Sequence, residues 1–440
     1  MTDHSPRARP LAVPSSRFAR VTRLGGMASG IAGTMAWDGV RRVSRGERPE
    51  MRDLLLTPAN MRRVADQLAR MRGAAMKVGQ LVSMDAGDVL PPELAQIMAR
   101  LRAEADYMPP RQLRTVLDRA WGPGWQRRFE RFDVRPVAAA SIGQVHRARA
   151  QGGAALAIKV QYPGVRRSID SDVDNVATLI RLSGLVPTGL DISELLDEAK
   201  RQLHEEADYE REGAELARFA RLLDGAADFV VPHLEPELTT PDVLAMSFVE
   251  GVGVEQMSNS DQATRDRIAR LLMELLFREL FEFGIMQTDP NFANYRYDPA
   301  TGRVILLDFG ATRAFPAEVT EAYRALLRAG MQGDQADIAR SALHLGFFAE
   351  ETAAHHKRAV VEMIELAFGA LRHEGMFDFG TSDLVLRLRD RAMEMTADRT
   401  FLHIPPVDVF YLQRKFAGLY LLARTLRARV DVRALVTPYL

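Results

Sequence analysis

Apolar positions at Met61, Val64, Leu68, Met71, Ala75, Val78 and Val82 recur three or four residues apart, which predicts a long amphipathic helix from Asn60 to Asp85. Pro91-Pro92 opens a loop, a shorter helix follows from Glu93 to Arg102, and Pro109-Pro110 ends it, because proline breaks the helical hydrogen-bond ladder. Between 130 and 163 the pattern changes to short apolar runs such as Ala155-Leu156-Ala157-Ile158-Lys159-Val160, cut by Gly152-Gly153 and closed by Pro163-Gly164. That texture predicts antiparallel hairpins. Helical spacing returns from Asp191 to Leu223, with Asp191 as the N-cap, and predicts one long helix. Strands are predicted at Phe229-Val230-Val231 and from Val243 to Val249, a helix from Asp261 to Phe283, and a strand from Val304 to Leu307. From Pro316 onward apolar and charged residues alternate at helical spacing, so the chain reads as α+β without internal repeats.

The 440 residues are 47% hydrophobic, contain no cysteine, and carry 58 basic and 58 acidic side chains. That composition excludes a disordered tail and a disulfide scaffold, and it removes thiolate metal sites, iron–sulfur ligation and cysteine nucleophiles. Zero net charge, with arginines spread beside acids, argues against nucleic-acid binding. Lysine occurs only at Lys77, Lys159, Lys200, Lys357 and Lys415, leaving 53 of the 58 cations to arginine. Arginine cannot replace lysine where a compact ammonium must face one pair of oxygens, so each surviving lysine calls for an explanation. Residues 1–24 hold five arginines, three prolines and one acid, and read as a mobile basic arm, with a transit peptide as the other reading. Gly25 to Trp37 is apolar, with Gly26 and Gly30 in G-x-x-x-G spacing. It reads as a helix-packing segment or a membrane-surface contact. No run of about 18 apolar residues occurs, so no transmembrane helix is predicted.

Asp289-Pro290-Asn291-Phe292-Ala293-Asn294 is followed by a turn at Asp298 to Gly302, an apolar strand, and Asp308-Phe309-Gly310. This D-x-x-x-x-N, strand, D-F-G order is the arrangement of a phosphoryl-transfer loop. The chemistry needs an acid to orient or deprotonate the attacking oxygen, which suits Asp289, and hard oxygen ligands for Mg²⁺, which suits Asn294 and Asp308. Such a site also needs a lysine on an upstream strand and an acid on a helix to hold it. Lys159 in Ala157-Ile158-Lys159 supplies the first and takes the α/β-phosphates.

On a single helix from Asp191, Glu206 follows Leu203 on the apolar stripe, whereas Asp208 lies about 200° away from it, so the two cannot share a pocket. Asp208 and Glu212 share a face, and Glu212 is the partner expected for Lys159. Ala138-Ala139-Ala140-Ser141-Ile142-Gly143-Gln144 occupies the place of a glycine-rich phosphate loop. Its added methyls allow fewer conformations and shift the phosphates. Lys77 and Gln80, three apart in Lys77-Val78-Gly79-Gln80, share a helix face. Taken alone, both segments are ordinary: a small-residue turn and a solvated patch. Adjacent His355 and His356 point apart and predict no metal pair, Trp37, Trp121 and Trp125 are expected to pack, and Lys200, Lys357 and Lys415 are expected at the surface.

Taken together, K-x-G-Q at Lys77 to Gln80, the alanine-rich loop with Val145-His146, E-x-D at Glu206 and Asp208 with Glu212, and D-F-G at Asp308 resemble the UbiB/AarF family of atypical protein-kinase-like proteins, over about residues 60–315. The resemblance implies a two-lobed protein-kinase-like fold with a small antiparallel-sheet N-lobe, a helical C-lobe and a helical K-x-G-Q extension. The division expected is 1–24 arm, 25–128 extension, 129–250 N-lobe with inserted helices, and 251–440 C-lobe with the catalytic loop. It further implies ATP or ADP with Mg²⁺, an alanine-rich loop that favours ADP, and Met246-Ser247-Phe248 as the hinge at adenine with Glu250 and Gly251 bordering the ribose. Lys77, Gln80, Glu206 and Asp208 are placed near the nucleotide. The family's catalytic loop reads roughly H-x-D-P-H-P-G-N, where this chain has Gln287-Thr288-Asp289-Pro290-Asn291-Phe292-Ala293-Asn294. In kinases the replaced histidine packs beneath D-F-G.

The function expected is a Mg²⁺-dependent ATPase or small-molecule kinase of ubiquinone or isoprenoid lipid metabolism. A nucleotide-gated pseudokinase scaffold or lipid chaperone and a soluble small-molecule phosphotransferase are the alternatives. The expected partners are nucleotide, a lipid or quinone precursor and a peripheral membrane contact; the resemblance also allows a homodimer, and it places the chain in the cytoplasm, peripheral to the inner membrane.

Overall fold

A computed structural model describes residues 107–182, 193–397 and 405–440, together with the single position Ala74. The basic arm, the Gly25 to Trp37 stretch, the expected helices over 60–85 and 93–102, Lys77, Gln80 and the cap Asp191 lie outside the described residues. The chain divides into two compact units: the first ends at Gly213 and takes in Leu234–Phe248, and the second comprises Ala214–His233 and Val249–Leu440.

The first unit is built on an antiparallel sheet of β1 (Phe129–Phe132), β2 (Ala138–Ala139), β3 (Gly143–Ala150), β4 (Ala155–Gln161) and β6 (Val243–Ser247), in the order β1-β3-β4-β6 with β2 paired to β3. The glycine and proline punctuation around these runs placed the hairpins correctly. Side chains alternate across a strand, so Leu156, Ile158 and Val160 of β4 enter the apolar core with Leu117 and Trp121 of helix α1 (Pro110–Trp121) and with Trp125 and Phe129. The same alternation turns Lys159 to the opposite face. Trp121 and Trp125 pack here as expected, and each indole N–H finds a partner, the Leu238 carbonyl at 2.9 Å and Asp118 Oδ1 at 3.1 Å.

Helices α2 (Val165–Leu182) and α3 (Ser193–Glu206) pack together, and α4 (Tyr209–Leu222) follows. The single helix expected from Asp191 to Leu223 is therefore two. The break is chemical. Gln161 Nε2 donates to the Ala207 carbonyl at 2.6 Å, and Asp208 Oδ1 accepts the Arg211 N–H at 3.1 Å, which makes Asp208 the cap of a new helix. Glu206 and Asp208 thus belong to different elements, and the angular argument that separated them on one helix does not apply.

Gly143 sits where β3 meets β4. A Cβ there would stand 2.5 Å from the Val160 carbonyl oxygen and 2.7 Å from the Tyr209 hydroxyl. Gly143→Ala is expected to cost about 1–3 kcal/mol through overpacking, read as a lower urea midpoint at unchanged slope. A wild-type midpoint would remove this account of the glycine.

In the second unit β7 (Val252–Gly253), β9 (Tyr295–Asp298), β10 (Arg303–Leu306) and β5 (Phe229–Val230) form one sheet, parallel only between β5 and β10, while β8 (Ile285–Gln287) pairs antiparallel with β11 (Thr312–Ala314). Helix α5 (Gln262–Arg278) starts on Asp261, whose side chain accepts the Thr264 N–H, and it ends in a π turn at Glu279–Phe283 rather than continuing as α-helix to Phe283. The wider turn places Glu279 indoors beside β8. Helices α6 (Ala317–Gln332), α7 (Gln335–His344), α8 (Ala354–Ala367), α9 (Leu384–Ala397) and α10 (Val407–Leu426) are the longer helices of the rest of the unit, with α10 packed on α5. Among the described residues no helix is long and apolar enough to cross a membrane.

Candidate active site

In the first unit the Lys159 ammonium donates to both oxygens of Glu212, at 2.8 and 2.9 Å, and lies 5.1 Å from the centre of the Tyr209 ring. Both partners are buried, so each charge has lost its water and depends on the other. The result is an ammonium held in one place on the face of β4 away from the apolar core.

The alanine-rich segment is a tight hairpin. Ala138 and Ala139 pair with Val145 and Gln144, and the Ala140 N–H donates to the Gly143 carbonyl at 2.9 Å. Ser141 at its tip donates to Glu206 Oε2 at 2.9 Å, which ties the turn to the end of α3. Gln144, expected to face nucleotide, instead has a fully buried side chain. Its Oε1 accepts the Met108 N–H at 2.7 Å and its Nε2 meets His146 Nε2 at 2.8 Å. His146 Nδ1 faces the Asp133 carbonyl at 2.8 Å, which can only accept, so the proton sits on Nδ1 and Nε2 accepts from Gln144. Burial holds the His146 pKa below its ordinary value, consistent with a neutral ring. Gln144 is a strut of the sheet. Met246 pairs with Ala157 across β6 and β4, and Phe248 continues the pairing through its N–H to the Ala155 carbonyl at 2.8 Å.

In the second unit the loop after β8 is closed by its own side chains. Asn291 Oδ1 accepts the Ala293 N–H at 3.1 Å, and Asn294 Nδ2 reaches the Asp289 carbonyl at 3.2 Å and Asp289 Oδ2 at 3.4 Å. The Leu307 N–H donates to the Asn294 carbonyl at 3.0 Å, which brings the loop to the end of β10, one residue before Asp308. Asp308 Oδ1 accepts the Gly310 N–H at 3.0 Å, and buried Phe309 packs 4.9 Å from Phe219. Asp289, Asn294 and the D-F-G turn are thereby joined within one unit.

Asn294 turns its amide nitrogen to Asp289, leaving Oδ1 as the end that can face a cation, and Asp308 offers a carboxylate. Two hard oxygen donors fit Mg²⁺, which keeps water and phosphate oxygens for its remaining positions. Among the described residues no cluster of three or more His, Asp or Glu exists to hold a metal without such help.

The sequence reading missed the support beneath this loop. Lys415, expected at the surface, is only 2% exposed. Its ammonium donates to the Gln287 carbonyl at 2.6 Å, Gln287 Oε1 at 3.1 Å and the Tyr295 hydroxyl at 2.8 Å, and lies 3.5 Å from Glu279 Oε2. Beside it, Arg414 Nη2 donates to Asp289 Oδ1 at 2.7 Å. By contrast Lys200 is partly exposed on Asp174, at 2.7 Å. A signal was present in the chain: Arg414-Lys415 is a charged pair in a stretch from Val409 to Ala423 that holds no other charged residue.

A family model described as the ABC1 atypical kinase-like domain matches residues 100–342. The chain is 37% identical over 431 residues to the atypical kinase COQ8B, mitochondrial, of Danio rerio, covering 97% of this chain and 69% of that one. It is 36% identical over 420 residues to the atypical kinase COQ8, mitochondrial, of Saccharomyces cerevisiae, covering 95% and 83%. Among solved structures, Rv3197 of Mycobacterium tuberculosis in complex with erythromycin is similar at a TM-score of 0.60 and 25% identity, covering 86% of this chain and 96% of that one.

Proposed function

The chain belongs to the ABC1 atypical kinase-like family, and on that premise we propose that it is a Mg²⁺-dependent ATP- or ADP-binding enzyme, an ATPase or a small-molecule kinase, that supports ubiquinone or isoprenoid lipid metabolism at a membrane surface. Lys159, oriented by Glu212, neutralises α- and β-phosphate charge, and the hairpin from Ala138 to Gly143 covers the phosphates. Met246 and Phe248 border adenine. Lys77, Gln80, Glu206 and Asp208 lie near the nucleotide. Asn294 and Asp308 hold Mg²⁺, which when bound offsets charge on the transferring group. Asp289 orients the attacking hydroxyl or water and accepts its proton. The partners that go with this reading are a lipid or quinone-precursor ligand and a peripheral membrane contact.

The observation that best supports the reading is the loop closure, in which Asn294 is bonded to Asp289 through its side chain and to Leu307, beside Asp308, through its carbonyl. Purified chain is tested with Mg²⁺ and ATP or ADP for thermal shift and phosphate release, with and without anionic vesicles. A rise in melting temperature with either nucleotide, together with phosphate release, is expected. No shift with either nucleotide would refute the reading. Binding without turnover would leave the scaffold alternative.

A further inference from the structure

We propose that Arg414, on α10, is a positioning residue for phosphoryl transfer, which fixes the orientation of the Asp289 carboxylate; the proposal rests on the reading of Asp289 as the acid of that step. Three contacts carry it. Lys415 bonds to Gln287, Arg414 to Asp289, and Gly418 admits Pro290 so closely that a Cβ at 418 would stand 2.2 Å from the Pro290 Cβ. Arg414 and Gly418, four apart, share a face of α10, so one helix seats consecutive residues of the loop.

Arg414 does more than fill space. Its side chain is 6% exposed and its Nη2 lies 2.7 Å from Asp289 Oδ1, while Asn294 Nδ2 approaches Oδ2 at 3.4 Å. A carboxylate turns readily about its last torsion, and a short charge-assisted bond on one oxygen with an amide on the other holds its plane. A guanidinium suits that task because its donors lie in a rigid plane, whereas the neighbouring Lys415 ammonium serves three acceptors in different directions. The acid is therefore held in place before substrate arrives.

The test uses the full chain and five forms: wild type, Arg414→Met, Arg414→Lys, Asp289→Asn and the double variant Asp289→Asn/Arg414→Met. ATP turnover and the Mg–ADP thermal shift are measured for each. Arg414→Met is expected to lower kcat about 10- to 100-fold, the range a small misplacement of a reacting group produces, with KM for ATP and the Mg–ADP shift close to wild type. Arg414→Lys recovers part of kcat. The double variant is no slower than Asp289→Asn alone, because Arg414 acts through that carboxylate.

Losses that multiply in the double variant, a loss confined to KM, or wild-type kcat in Arg414→Met would overturn the role. If Arg414→Met does not fold, Arg414→Gln, which keeps a planar donor, takes its place in the cycle. Wild type that binds Mg–ADP without turnover overturns the positioning role and leaves nucleotide binding standing. Wild type that binds neither nucleotide removes the underlying reading, and the role with it.

Discussion

Lys415→Met is expected to lower the unfolding free energy by about 3–5 kcal/mol near neutral pH, the cost of leaving a buried charge without its partner. Lys415 and Glu279 are 2% and 1% exposed, so bulk solvent is kept from the charge that either would leave behind. Burial, opposed by the Lys415 charge and the Gln287 N–H, pushes the Glu279 carboxyl up to about 6. Its folded value therefore lies above its ordinary 4.5, so its contribution to stability is complete below 4.5 and is lost as pH rises through about 6.

Burial also pulls Lys415 down, but Glu279 and Tyr295 against it leave it above its ordinary 10.5. Its contribution thus persists through neutral pH and is lost only above that value. Without the ammonium, Glu279 holds its proton to higher pH, and the gap between wild type and variant widens as pH rises beyond about 6. Urea melts across that range check the sign. A second variant, Lys415→Met/Glu279→Gln, removes both charges and should recover the part of the loss due to charge, leaving the unmade bonds to Gln287 and Tyr295. A gap that narrows with pH, or no recovery in the double variant, would show that the pair is not the source.

What the chain disclosed on its own was local. The hairpins around Lys159 could be read because glycine and proline mark turns and because period two puts Ile158 and Lys159 on opposite faces. D-x-x-x-x-N and D-F-G could be read because their spacing is set by the short loop and hairpin between them. The break between α3 and α4 could not, since the residue that takes the Ala207 carbonyl is Gln161, 46 positions earlier on β4. The π turn at Glu279 and the burial of Lys415 were hidden for the same reason: Lys415 meets Gln287 128 positions away. Scarcity of lysine flagged Lys415, but helical periodicity places it in an apolar helix without saying what faces it. Where the family resemblance leads one to expect a histidine the chain has Gln287, and what holds that residue is in no local pattern. Gln287 at that position is gripped by a lysine near the C-terminus.

Asp289→Asn is expected to lower kcat about 10²- to 10⁴-fold, the range attributed to a positioned acid or base, while the Mg–ADP thermal shift stays close to wild type. The two effects separate because Asp289 is read as acting on the attacking oxygen, whereas Asn294 and Asp308 are the residues read as meeting the metal. Asparagine keeps an acceptor for Arg414 and nearly the same shape, so the fold should survive. It nevertheless removes the counter-charge of a guanidinium that is 6% exposed, and a lower melting temperature than wild type should accompany the kinetic loss. Asp308→Asn sets the contrast: a metal ligand weakened at that site should cut the Mg²⁺-dependent part of the nucleotide shift as well as turnover. If Asp289→Asn abolishes the Mg–ADP shift while remaining folded, Asp289 belongs to nucleotide binding. If it leaves kcat unchanged, the carboxylate that Arg414 holds is structural, and the acid of the transfer step must be sought elsewhere.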